Sequence, residues 1–326
     1  MKIWRAVVLI LSFVGMFACK DSVSDIPVVV NVERFDEQIM AVKSKDELAK
    51  LFAKNPNYTK SLYRAMPDDS ALIEHVYFLT SHPDTRKFHS ETVKAFGDLA
   101  KLKQEFKSAF QYIKSLYPSF KEPKIMITFT GLENDIFVSD SLVIISLESF
   151  VGPKATYRPQ QPNYLLRRYT PEHIVPMIVR YISNTYNKTE QGDQTFLADM
   201  IYFGKSLEFT KQVLPNTPDS LIIGYTGKEL DNTWAAQDLV WAHVVEKSLL
   251  YNKNSMVKEK YLAERPIVTE VGSSCPGRIG QWLGWRILKR YMNENPKLTF
   301  QEVMAIPKAE EILRMSGYRG QVDDKK

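Results

Sequence analysis

Histidine and cysteine are scarce in this 326-residue chain, with five of the first and two of the second. No two of the histidines, His75, His82, His89, His173 and His243, stand four apart. A zinc-peptidase helix needs H-E-x-x-H, because a step of four sets both imidazoles on one face beside a glutamate general base. That motif is missing. So are a G-x-S-x-G elbow, a Walker P-loop and a G-x-G-x-x-G turn after a strand. Glu133, Asp135 and Asp140 in "LENDIFVSD" lack the spacing of a calcium EF-loop and read as solvated turns. No basic stripe interleaved with aromatics stands out, and a formal charge of +5 is too mild to imply nucleic acid. Past the N-terminus no apolar run is long enough to span a bilayer.

What is present begins with "MKIWRAVVLILSFVGMFAC". Lys2 and Arg5 precede an apolar run from Ala6 to Ala18, the pattern of a secretory signal peptide. Cys19 follows a small residue, and "CKDSVSD" turns polar at once, as a lipoprotein tether does. The expectation is a signal peptide over 1–18, an acylated Cys19 on a flexible tether over 19–27, and one folded domain over 28–326. Cleavage would remove Lys2 and Arg5 and lower the charge from +5 to +3. With Cys19 lipidated, Cys275 has no partner for a disulfide. "SSCPGRIG" reads as a helix start, with Ser274 or Cys275 at the cap and Pro276 in the first turn, rather than as a nucleophile.

Helical patterning dominates from Ser44 to Tyr117. A long segment from Asp84 or Thr85 to Leu116 carries Phe88, Val93, Phe96, Leu99, Leu102, Phe106, Phe110 and Ile113 at three- and four-residue steps. The texture then changes to β-rich runs, "PKIMITFTG", "DIFVSD" and "SLVIISLESFVG". They suggest a small sheet of about three strands, antiparallel in character, in which Ile125, Ile127 and Phe129 alternate with Met126 and Thr128 as a half-buried strand. A loop rich in proline and aromatics follows, and then helices near 171–186, 194–213, 226–250, 277–293 and 299–314. This is a mainly helical α+β domain. There is no internal repeat and no low-complexity segment.

Within the late helices, His243 and Glu246 in "HVVE" could share a metal, but two ligands are fewer than zinc requires. Gly277, Gly280 and Gly284 in "GRIGQWLGW" make a flat strip against which another element can pack closely, flanked by Trp282 and Trp285. The loop arginines Arg158, Arg167 and Arg168 lie beside Tyr157, Tyr164 and Tyr169. They could hold an anionic or sugar partner, but a solvated loop covering the sheet is the favoured reading.

Several stretches in one order, "LYPSF", "PKIMITFTG", "SLVIISLESFVG", "YLLRRYTPEHIVPMIVRYI", "WAAQDLVWAHVVEKSLLY" and "SSCPGRIGQWLGWRILKRYM", resemble the gliding-motility lipoprotein GldB family of the Bacteroidetes. More remotely, that family is similar to zinc-dependent proteases of the zincin type, in which a small sheet precedes the metal-binding helix. The resemblance implies a zincin-like arrangement with a degenerate active helix. It sets Arg180 and Tyr181 where His and Glu belong, Asn184 where the second His belongs, and Phe203 in the place of a third, glutamate ligand, with Glu208 a turn beyond. The implied function is a non-catalytic component of the gliding apparatus, acting as scaffold or binding protein. It would have no cofactor, would sit in the bilayer through Cys19 facing the periplasm, and would have other gliding or secretion proteins as partners. The alternative is a metal-dependent hydrolase built from His173, Glu172, His243 and Glu246.

Overall fold

A computed structural model describes residues 23–321, and the chain in it is built outward from one sheet. Strands β1 (Val32–Arg34), β2 (Lys124–Thr128), β3 (Ile136–Val138) and β4 (Leu142–Ser146) lie in the order β1-β2-β4-β3. β2 pairs in parallel with both β1 and β4, and only β3 runs antiparallel, on the edge. The antiparallel three-stranded sheet expected from the sequence is therefore a mixed four-stranded one. Its missed member, β1, is three residues long and carries two charges. β2 is also not half-buried. Ile125 and Ile127 join Val143 and Ile145 on one face, while Met126 joins Leu142 and Ile144 on the other, and all are buried. Parallel strands are covered on both sides in this way.

The Met126 face is closed by α1 (Phe35–Ala41), α2 (Lys45–Lys54), α3 (Pro56–Leu62) and α4 (Ser70–Ser81), through Phe35, Ile39, Phe52, Tyr58 and Val76. The segment expected as one long helix is two, α5 (Pro83–Phe96) and α6 (Ala100–Leu116). Gly97 and Leu99 both take positive φ between them, and the Asp98 carboxylate accepts from the Ala100 N–H to restart the helix. His82 caps α5 by accepting from the Asp84 N–H. α6 buries Phe106, Phe110 and Ile113 on the Ile125 face, worth about 1.5–3 kcal/mol for each large side chain. Its Gln111 side chain donates to the carbonyls of Ser24 and Ile26. The described end of the expected tether, residues 23–27, is thus held against α6 rather than loose.

After the short α7 (Asn163–Leu166) come α8 (Ile174–Ile182) and α9 (Phe196–Val213). α9 is buried nearly all round, as a central helix is. Its Phe209 and Val213 join the sheet core, while Met200 and Leu207 join a second core in the C-terminal half. That half contains α10 (Asp219–Ile223), α11 (Gly227–Ala235), α12 (Gln237–Glu246), α13 (Ser255–Leu262), α14 (Ile279–Glu294), α15 (Phe300–Ala305) and α16 (Ala309–Ser316). The helix expected over 226–250 breaks at Ala236, which no local propensity announces. The break sets Trp234 edge-on to Trp282 and Trp241 edge-on to Tyr318. The segment expected over 299–314 divides at Pro307, which cannot continue a helix. α14 starts at Ile279, two residues later than expected: Arg278, with φ 61, is its cap, and neither Ser274 nor Cys275 is. Among the described residues no helix is long and apolar enough to cross a membrane.

The glycine strip does what its spacing implied. A Cβ on Gly284 would sit 1.8 Å from the Met200 carbonyl oxygen of α9, and one on Gly204 would sit 2.5 Å from the Gly284 backbone. The two helices touch backbone to backbone. We expect Gly284→Ala to destabilise the protein by about 3 kcal/mol or more, since rigid backbone must move, and denaturant unfolding would measure this.

Glu148, in the 3-10 turn after β4, is 1% exposed. Its Oε1 accepts from the Thr130 N–H at 2.6 Å and the Thr130 hydroxyl at 3.1 Å, while Oε2 has no partner among the described residues. Burial pushes this carboxyl up to about 7. The folded protein therefore holds the proton more tightly than the unfolded chain, and stability falls as pH rises from about 4.5 to about 7. Glu148→Gln should flatten the unfolding free energy across that window by on the order of 3 kcal/mol. An unchanged pH profile in the variant would refute the assignment.

Candidate functional site

α8 begins with Pro176 in its first turn, where a missing N–H costs little. Ile174, Val175, Ile178, Val179 and Ile182 bury one face of α8 in the sheet core. Met177, Arg180, Tyr181 and, just beyond its end, Asn184 line a cavity of about 270 Å³. α9 supplies Tyr202, Phe203 and Ser206 to the same space, and the start of α14 supplies Arg278 and Gln281. Arg168 and His173 close it from the segment leading into α8.

The polar contacts in this cavity are specific. Arg180 donates through Nη2 to the Gln281 side-chain oxygen at 2.5 Å and stacks over Phe203, 5.7 Å from the ring centroid. Gln281 is fixed in turn by donating to the Leu262 carbonyl. The Tyr202 hydroxyl donates to the Asn184 side chain at 2.7 Å, and the Ser183 and Ser206 hydroxyls share a hydrogen bond. Glu264 bridges two arginines, pairing with Arg168 at 2.6 Å and with Arg278. Arg278 sits in the left-handed region, at a cost of about 1–3 kcal/mol. Its other arm donates to the Ile223 carbonyl at the end of α10. Arg180 has no carboxylate within ion-pair distance among the described residues. Burial first, and then repulsion from Arg278, pushes its guanidinium down to about 9, still charged at neutral pH.

The four positions that the protease resemblance singled out, Arg180, Tyr181, Asn184 and Phe203, all line this one cavity. His173 also lines it, with Nδ1 against the Thr170 hydroxyl at 2.7 Å and its pKa lowered by burial. The alternative metal set is not brought together. His243 lies on α12 against the Tyr261 hydroxyl, with its pKa lowered by burial, and Glu172 and Glu246 are exposed. Among the described residues no group of three or more His, Cys, Asp or Glu is placed to hold a metal ion. The three acids of "LENDIFVSD" likewise diverge: Glu133 contacts His75, Asp135 the Tyr169 hydroxyl, and Asp140 the Thr185 hydroxyl.

The loop arginines are not simply solvated. Arg167 pairs with Glu229 of α11 at 2.6 Å and Arg168 with Glu264, so the loop is tied to the C-terminal half. Sequence reasoning missed Arg278 and Gln281. Both lie inside the glycine strip, Arg278 at the cap of α14 and Gln281 in its first turn, and no spacing marked them as a pair. Cys19 lies outside the described residues.

Residues 18–320 match the family model described as gliding motility protein GldB. No curated protein and no solved structure matches the chain.

Cys275 is a buried free thiol, 9% exposed, and burial pushes its pKa up to about 12. Thiolate, the reactive form, is therefore suppressed. In a Cys19→Ser chain at pH 8, a disulfide reagent such as dithiobis-nitrobenzoate should leave Cys275 unmodified until denaturant is added. Rapid labelling of the native protein would instead mark a reactive cysteine.

Proposed function

The chain belongs to the GldB family of gliding-motility lipoproteins, and from that premise we propose that it is a non-catalytic binding component of the gliding apparatus. It would be held at the envelope by lipid on Cys19, with its folded domain facing the periplasm and other gliding or secretion proteins as partners. The observation that carries this reading is the content of the cavity beside α8. The order of elements, a small sheet, then α8, then the long α9, fits a zincin-like arrangement in which the active helix has lost its chemistry. Arg180 has no lone pair to give a metal and carries a positive charge that repels one. Asn184 and Phe203 are no better as zinc ligands, and Tyr181 stands where a carboxylate base would act. The cavity at this place is lined by side chains from α8, α9 and the start of α14 and is open to one side. A binding role for a partner's segment uses that shape without needing a reaction.

The test is metal content and proteolysis measured together. The protein, purified without chelator and again after zinc loading, should retain less than about one-tenth of an equivalent of zinc in both preparations, as a site without ligands does. It should also leave casein uncut. About one equivalent of retained zinc with cleavage of casein would end the non-catalytic reading.

A further inference from the structure

The charges around the cavity do not balance. Arg168, Arg180 and Arg278 line it, and no aspartate or glutamate does. The carboxylate next to them, Glu264, is already shared by Arg168 and Arg278. Three guanidiniums against one carboxylate leave an excess of two positive charges. Arg180 in particular is held in place by a neutral amide and an aromatic ring, with no anion of its own. The Nε of Arg168 is a further buried donor without a partner among the described residues. Charges removed from water are costly until they are paired, so this arrangement favours an incoming anion. The rest of the lining includes the apolar side chains of Pro176, Met177, Phe203, Leu221 and Ile222.

We propose that this cavity captures the free C-terminal carboxylate of a partner polypeptide whose last side chain is apolar. The inference rests on the reading of the chain as a non-catalytic binding protein and names the chemistry of what it binds. Arginine meets a carboxylate with two parallel N–H donors, so a flat terminal carboxylate is an anion that the guanidiniums fit. Size points the same way. At about 270 Å³ the cavity lies at the small end for a whole organic ligand, and suits one terminal residue. A second cavity of about 450 Å³ shares Tyr181 and Asn184 with the first and continues past Ser139, Asp140 and Thr185. The arginines line only the first cavity, and the second gives the residues before the terminus a path out along the end of the edge strand β3.

Calorimetric titration of the whole chain, purified in detergent, tests this with three probes: acetyl-Ala-Ser-Phe-Leu with a free carboxylate, the same peptide as its C-terminal amide, and hexanoate. The acid should bind about 10- to 100-fold more tightly than the amide, the worth of a charge-assisted hydrogen bond. Arg180→Gln should reduce the acid to the level of the amide. Should that variant fail to fold by circular dichroism, Arg168→Gln is expected to weaken the acid selectively, and unchanged affinity there overturns the proposal. Equal binding of acid and amide, or no binding of the acid, also overturns it. Hexanoate binding as tightly as the peptide acid would assign the site to a free organic acid and overturn the polypeptide assignment. Mass spectrometry of the peptide after titration separates the two readings. A cleaved peptide defeats the non-catalytic function, whereas an intact peptide showing no preference for the acid defeats only the carboxylate site.

Discussion

The backbone contact between α9 and α14 is the constraint on which the rest of the C-terminal half depends. Gly204 and Gly284 remove the side chains that would hold the helices apart, and Met200 and Trp285 backbone atoms fill the space a Cβ would take. At that distance the dispersion contacts are dense, and each is individually small. The consequence reaches the cavity, because two of its walls are carried by these helices. Tyr202, Phe203 and Ser206 of α9 face Arg278 and Gln281 at the start of α14 only while the glycines keep the axes this close.

The same pair of helices carries buried polar groups that are nearly all satisfied. Lys205 donates to the carbonyls of Lys188, Met304 and Ile306, tying two connecting segments to α9. Glu208 accepts from the Trp285 indole at 2.6 Å and from Gln212. The Arg286 guanidinium lies over the Trp234 and Trp285 rings. Buried polar groups are ordinarily paired in this manner, and leaving one unpaired costs stability. Arg180 is hydrogen-bonded too, but to the neutral Gln281 amide rather than to a carboxylate. It stacks over Phe203 and feels Arg278 and Glu264 at longer range, and this arrangement lies at the cavity rather than in the core. An unbalanced charge beside an opening is a feature of binding sites more often than of packing.

Electrostatics also distinguishes this cavity from a metal site. A zinc site gathers neutral imidazoles and carboxylates around a cation, whereas here the positive charge belongs to the protein and the wall lacks carboxylates. Glu264 serves as the brace that lets Arg168 and Arg278 stand near each other. The strained backbone of Arg278 belongs to the same arrangement, since that conformation accompanies a side chain held between Glu264 and the Ile223 carbonyl.

Much of the fold was legible from the residues alone. The α+β class, the β-rich interval in a helical chain, the ends of α9 and the packing role of the α14 glycines all follow from periodicity and residue size, which act locally. The family resemblance, too, drew on linear order alone. What tertiary structure decided was pairing across distance. β1 begins at the end of a valine-rich run, Val28 to Val32, but its pairing with β2, far along the chain, is a contact that the run does not record. The break at Ala236 falls where Trp234 and Trp241 reach separate partners, contacts that local sequence does not record. The cavity unites side chains from α8, α9, α14 and the loop before α8, and no spacing in the sequence records that meeting. Arg180 could be identified as an unsuitable ligand from its type. Only the folded chain, by pairing Glu264 with two other arginines, left Arg180 without a carboxylate of its own at ion-pair distance.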